Sequence, residues 1–159
     1  MDEELDLECI FRAEFARLVR SLSAAAGSPD RAADAVQEAF VQAHLHWRRV
    51  RRYDDPAAWI RRVAVNRVLN QRRSGRRREA ALARLGPMAP YLDDTPGADP
   101  ALAAALASLP LRQRTAVALR FLGDLSVADV ARAMEISEGA VKSHVHRARE
   151  RLAIQLERP

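Results

Sequence analysis

This 159-residue sequence predicts an all-α fold: two small helical domains joined by a flexible linker, the second a helix-turn-helix domain. Three observations predict it. Apolar residues recur at helical spacing along most of the chain. Hydrophobic residues make up 48% but aromatics only 5%, and there are only 6 Gly, so the core must be built mainly from Ala, Val and Leu. One stretch, "PMAPYLDDTPGADP" (Pro87–Pro100), breaks the periodicity with four Pro, one Gly and three Asp, and reads as a linker. The expected boundaries are a front domain over 1–80, an acidic Pro-rich linker over 81–101 and a back domain over 102–159.

Several classes of protein are excluded or disfavoured. No apolar run of about 18 residues exists, so no membrane insertion is expected. The start "MDEELDLECI" is acidic and lacks the layout of a secretory signal. The 1 Cys, Cys9, rules out an intrachain disulfide, and a cytoplasmic protein is expected. The 4 His fall in two i, i+2 pairs (His44 with His46, His144 with His146) that point to different sides of a helix. No metal site, Gly-rich phosphate loop or nucleophile motif is apparent, so no enzyme, no cofactor and no metal are expected.

Charge is distributed in blocks. Residues 1–30 carry three Arg and seven acids, net −4, and residues 31–78 carry thirteen Arg and four acids, net +9. Residues 79–101 carry one Arg and four acids, net −3, and residues 102–159 carry nine basic residues and six acids, net +3. Two basic blocks separated by an acidic one suit a polyanion partner, although a solvated charged surface is the plainer reading of composition alone.

In the front domain Phe11, Phe15, Leu18 and Leu22 make one apolar stripe. "GSPD" (Gly27–Asp30) is a stop followed by a start, with Ser28 as N-cap and Pro29 at the first helical position. Val36, Phe40, Ala43 and Trp47 repeat the spacing in a second helix, whose other faces carry Asp34, Gln37 and Glu38. "RRVRRYDDP" (Arg48–Pro56) is a basic loop or frayed helix end, and Pro56 opens a third helix to about Arg73. There Trp59, Asn66 and Asn70 form a stripe beside basic faces carrying Arg61, Arg62, Arg72 and Arg73. Aromatics stack on unpaired bases, amides bond base edges and Arg neutralises phosphates. Trp59 as core, with the asparagines merely exposed, fits the same pattern.

In the back domain two helices break at Pro110, and Gly123 is expected as a C′ stop. "LSVADVARAMEISEGAVKSHVHRARERL" (Leu125–Leu152) then has the layout of a helix-turn-helix. Ser126 and Ser137 are N-caps, with Asp129 completing a capping-box pattern. Val127, Val130, Ala131 and Met134 face inward, as do Val141, Val145, Ala148 and Leu152, and Ile136 plugs the turn. The second helix presents Gly139, Lys142, Ser143, His146 and Arg147 outward, flanked by Ala140 and Arg149. Small and basic groups on such a face suit the DNA major groove. Glu135 stands where the turn favours Gly.

Three motifs in order carry a resemblance: "DAVQEAFVQA" (Asp34–Ala43), "DDPAAWIRRVAVNRVLNQRR" (Asp54–Arg73) and the segment from Ser108 to Leu152. Together they strongly resemble bacterial RNA polymerase sigma factors of the extracytoplasmic-function (ECF) type. The resemblance implies that the front domain is region two and the back domain region four. It implies docking on bacterial core RNA polymerase through Asp34, Gln37, Glu38 and Phe40. It implies opening and reading of the −10 element by Trp47, Arg52, Tyr53, Trp59, Arg62, Asn66, Asn70 and Arg73, with Trp47 or Tyr53 trapping a flipped base. The −35 element, still duplex, would be read by Arg114, Ser137, Glu138, Ala140, Lys142, Ser143, His146, Arg147 and Arg149. Arg112 and Arg120 would lie near the DNA backbone or the polymerase flap.

The resemblance also implies an anti-sigma factor as partner, and the end at Pro159 implies no further C-terminal regulatory domain. The chain departs from the family's pattern at Glu135 (usually Gly), Ala140 (Thr), His144 (often Arg) and His44 (often Trp), which leaves the −35 preference open. Two rival readings remain. One is a dimeric helix-turn-helix regulator, disfavoured by the polar docking helix and the Trp59 stripe. The other is a degenerate sigma that only titrates an anti-sigma, disfavoured by Lys142, Arg147 and Arg149.

Overall fold

The computed structural model describes the backbone of residues 2–83 and 99–157, and the side chains of residues 6–70 and 99–157. The middle of the expected linker, 84–98, lies outside the described residues. Among the described residues every regular element is helical.

Helix α1 runs Asp2–Ala26 and stops at Gly27, whose φ of 70° is the left-handed conformation that glycine adopts cheaply. Ser28 then caps α2 (Pro29–Leu45), its hydroxyl accepting from the Arg31 N–H at 3.3 Å. After a short α3 (Trp47–Val50), Asp55 accepts from the Ala58 N–H at 3.1 Å and opens α4 (Pro56–Ala83). Helix α4 passes the expected end near Arg73 by ten residues. Its only breaker there is Gly75, and one glycine costs a helix only about 1 kcal/mol.

The back half holds α5 (Pro100–Ala107), α6 (Leu111–Val117), α7 (Val127–Met134) and α8 (Glu138–Leu156). Helix α6 continues into a π-helical turn, Ala118–Leu122, closed by the Gly123 N–H donating to the Ala118 carbonyl at 2.9 Å. Gly123 is not the left-handed stop expected: its φ is −83°, and Asp124 takes the positive φ of 53°. The glycine is needed for space instead. A Cβ there would lie 2.7 Å from the Leu119 carbonyl oxygen, which is backbone and cannot swing aside.

The helix-turn-helix closes as its sequence suggests. Ser126 accepts from the Asp129 N–H at 3.1 Å, and Ser137 from the Ala140 N–H at 3.0 Å. Between them Glu135 is left-handed (φ 56°, ψ 43°), with Ile136 N–H donating to Ala131 O and Glu135 N–H to Arg132 O. This is a Schellman stop carrying glutamate where glycine is cheaper.

The two halves share one hydrophobic core. A single cluster runs from Leu18, Leu22 and Val36 through Ile60 and Val65 to Leu119, Val130 and Val141. Helix α7 packs on α4, and α1 packs on α6 and the π turn. A smaller cluster of Leu109, Val117 and Ala148 seats α8 on α5 and α6. Within the front half, Arg61 reaches Glu14 through two hydrogen bonds, 3.2 Å from Nε and 3.0 Å from Nη2, and is 8% exposed. The expected surface arginine is therefore an internal tie between α4 and α1. Burial alone would lower its pKa, but the hydrogen bonds and charge of Glu14 prevail and hold it above the ordinary value.

Candidate nucleic-acid and polymerase interfaces

The outward face of α2 is acidic and amide-bearing. Asp34 and Gln37 are exposed, while Glu38 is half-buried, accepting from Gln42 Nε2 at 3.1 Å with Arg67 3.7 Å away. Phe40, expected beside them, faces the other way. It is 7% exposed and meets Phe11 edge-on at 5.0 Å between ring centroids. Its place on the Val36–Phe40–Ala43 stripe makes it core, and it is withdrawn from the polar docking face.

Trp47 is likewise corrected. It is 8% exposed and belongs to the core, so its ring is not free to trap a flipped base. Trp47 and Phe40 line a groove of about 750 Å³ together with Phe11 and Leu45, with Glu8 and Arg48 among its polar residues. Arg52 and Tyr53, on the turn before α4, remain exposed. On α4, Trp59, Arg62 and Asn66 are half-buried and Asn70 is exposed; the Arg73 side chain lies outside the described residues. Trp59 packs against the shared cluster. The back half partly covers this stripe, since Arg62 Nη1 lies 3.7 Å from Glu135 Oε1 and Arg132 Nη1 lies 3.9 Å from Asp55 Oδ2.

Helix α8 buries Val141 and Ala148 and turns a basic face outward. Lys142, Ser143, His146, Arg147 and Arg149 are exposed, Ser137 and Glu138 stand exposed at its start, and Ala140 is half-buried. The positive N-terminal end of the helix favours Glu138 there. His146 Nε2 lies 3.1 Å from Glu150 Oε1. Arg114 is not part of this face. It is 2% exposed within α6, where Nη1 donates to the Ala107 carbonyl at 3.0 Å, and its Nε and Nη2 find no partner among the described residues. Helix α6 lies between α8 and α1 and is covered on both sides, which removes Arg114 from DNA in this arrangement.

Sequence reasoning missed one feature of this face. Phe121 is 48% exposed, with the guanidinium carbons of Arg149 and Arg120 at 4.9 and 5.5 Å from its ring centroid. The signal was available as an aromatic beside Arg120 at the end of an apolar helix.

His144 sits half-buried at the back of α8. Desolvation first, then the charges of Arg112 and Arg147, push its pKa below the ordinary 6.5. The folded state therefore binds a proton less readily than the unfolded chain, and stability falls as pH drops through 6.5. Urea midpoints at about pH 7.5 and 5.5 should show this loss, and His144→Gln should lessen it.

Among the described residues there is no helix long and apolar enough to cross a membrane and no cluster of three metal-ligating side chains. Residues 10–78 match the Sigma-70 region 2 family and residues 100–152 match Sigma-70, region 4. The chain is 34% identical over 146 residues to the ECF RNA polymerase sigma factor SigM of Mycobacterium tuberculosis, covering 91% of this chain and 74% of that one. It is 32% identical over 158 residues to the RNA polymerase sigma-E factor of Streptomyces coelicolor, covering 98% and 89%. Among solved structures, the sigma factor RpoE of Bartonella quintana, bound to the anti-sigma factor NepR, superposes with a TM-score of 0.72 at 25% identity, over 98% of this chain and 97% of that one. CnrH in complex with the cytosolic domain of CnrY shares the fold, with a TM-score of 0.65 at 22% identity over 97% and 89%. Two sigma regions stand in order on one helical scaffold: the chain belongs to the ECF-type RNA polymerase sigma factors and serves promoter-specific transcription initiation.

Proposed function

We propose that α8 reads the duplex −35 element, that the turn before α4 and the outer stripe of α4 open and hold the −10 element, and that the acidic, amide-bearing face of α2 docks on core polymerase. The observation that carries this reading is the exposed basic face of α8 over its buried Val141 and Ala148. Lys142, Ser143, His146, Arg147 and Arg149 supply groups for base edges and phosphates. Asp34, Gln37 and Glu38 are the docking groups. Arg52, Tyr53, Trp59, Arg62, Asn66 and Asn70 serve the −10 strand. The chain itself performs no chemical step; it supplies binding energy that selects the promoter and holds unpaired bases. Unstacking costs a few kcal/mol, and stacking on an aromatic returns about 1–3 kcal/mol per base.

The closed packing adds a step. The −35 and −10 elements lie about 85 Å apart at about 3.4 Å per base pair, whereas a compact chain of this length is about 40 Å across. The two halves must part before both elements are read at once, and core polymerase supplies the surface that holds them apart. One structure with this fold carries an anti-sigma factor and another the cytosolic domain of CnrY, which supports a similar partner holding this chain closed.

Run-off transcription by core polymerase on a library of randomised −35 and −10 elements tests the reading. Enrichment at both elements, dependent on this protein, is expected. Lys142→Ala or Arg147→Ala should weaken −35-dependent initiation by about 1–3 kcal/mol where a base edge is read, or lower the salt slope by about 1 where a phosphate is bound. Core binding should survive. Asp34→Ala with Glu38→Ala should do the reverse, and identical behaviour of the two sets would overturn the division of labour.

A further inference from the structure

The exposed ring of Phe121 has no place in the core and no assigned role, yet three features converge on it. The π-helical turn Ala118–Leu122 shifts the register of the helix end, leaving Phe121 and Leu122 exposed beyond the buried Ala118 and Leu119. Such turns recur at functional sites. Arg149 comes from α8, 28 residues further along, and still brings its guanidinium carbon to 4.9 Å from the ring centroid. Arg120 approaches at 5.5 Å, steadied by Nη1 donating to the Leu125 carbonyl at 3.3 Å. The hollow beside the ring, lined by Val127, Lys142, Val145 and His146, opens onto the basic face of α8.

We infer that Phe121 is a positioning residue of the −35 interface, orienting the Arg149 and Arg120 guanidinium groups toward the phosphates flanking the groove. This rests on the reading of α8 given above. A guanidinium carries its five N–H donors in its plane, so a ring against its face occupies none of them, and only the Arg120 donor given to Leu125 is already engaged. An unsupported arginine on an exposed helix samples many rotamers, and binding must then order it. The ring restricts that freedom before DNA arrives. Phe121 acts through the two arginines rather than on the DNA.

The test uses the full-length protein assembled with core polymerase and a promoter duplex selected from the transcription library. Phe121→Leu keeps apolar bulk without a π face and should weaken promoter affinity about three- to tenfold. Phe121→Tyr keeps the face and should retain wild-type affinity. In an Arg149→Ala background, Phe121→Leu should lose at least half of its effect on a logarithmic scale. Competition for core polymerase and thermal melting of each variant separate misfolding from lost positioning. Equal behaviour of Leu and Tyr, or an undiminished effect in the Arg149→Ala background, would reduce the ring to packing and overturn the inference. If Lys142→Ala weakens the complex but neither Arg149→Ala nor Arg120→Ala does, there is nothing for the ring to position and the inference falls alone. If none of the three does, the −35 reading of α8 falls with it.

Discussion

Glu14→Ala is expected to cost about 3–5 kcal/mol of folding stability, because it strands a buried positive charge. Arg61 and Glu14 are 10% and 18% exposed at their side chains, and two hydrogen bonds join them across 47 positions of sequence. Removing the carboxylate leaves the guanidinium desolvated with only the charges of Asp55 and Asp129, neither hydrogen-bonded to it, to offset that loss; its Nη1 already lacks a partner among the described residues. For a chain of this size the loss corresponds to a melting temperature lower by about 6–20 °C. Urea denaturation followed by circular dichroism measures it. Glu14→Gln should recover only part, since a neutral amide can accept one of the bonds but supplies no charge. The double variant Glu14→Leu with Arg61→Met should be markedly more stable than Glu14→Ala, because a buried ion pair replaced whole by apolar groups is often neutral. A loss under about 1 kcal/mol for Glu14→Ala would put the pair among ordinary surface ion pairs.

Such a tie has no local signature, which marks where the sequence stops being legible. Features set within a few residues were readable: the Ser28, Ser126 and Ser137 caps, the left-handed position at Glu135, and the inward stripes of α2 and α8. Each depends on hydrogen bonds or periodicity inside one turn or helix. Phe40 and Trp47 were also legible, since both lie on the apolar stripe of Val36 and Ala43, and all four are buried. The family motif drew them toward function against that pattern. Arg61 and Arg114 were not legible. Whether an arginine on a mixed face is solvated or internal depends on an element far along the chain: α1 for Arg61, and α1 with α8 for Arg114. The packing of α7 on α4 was invisible for the same reason. Its apolar side chains had already been assigned to the core of the back half, and nothing in their spacing distinguishes one neighbour from two.

That joint can be tested from the opposite half of the chain. Both tryptophans, Trp47 and Trp59, lie in the front half, so their fluorescence reports unfolding there, whereas circular dichroism reports every helix. Leu119 is fully buried in the back half, within the cluster that continues to Leu18, Leu22 and Ile60. Leu119→Ala removes three carbons from that cluster and should cost about 2–5 kcal/mol, depending on how far the cavity collapses. In the wild type the two probes should trace one coincident transition, as expected of a single cooperative core. In Leu119→Ala the tryptophan transition should move to lower urea, although the substitution lies in the other half. A tryptophan midpoint that stayed in place while circular dichroism split into two steps would show the halves folding independently. The same variant bears on function. If closed packing must open before core polymerase engages both halves, apparent affinity is reduced by the fraction of molecules that are open. Weakening the joint raises that fraction, so Leu119→Ala should bind core polymerase more tightly wherever its back half remains folded, at the cost of a less stable free chain.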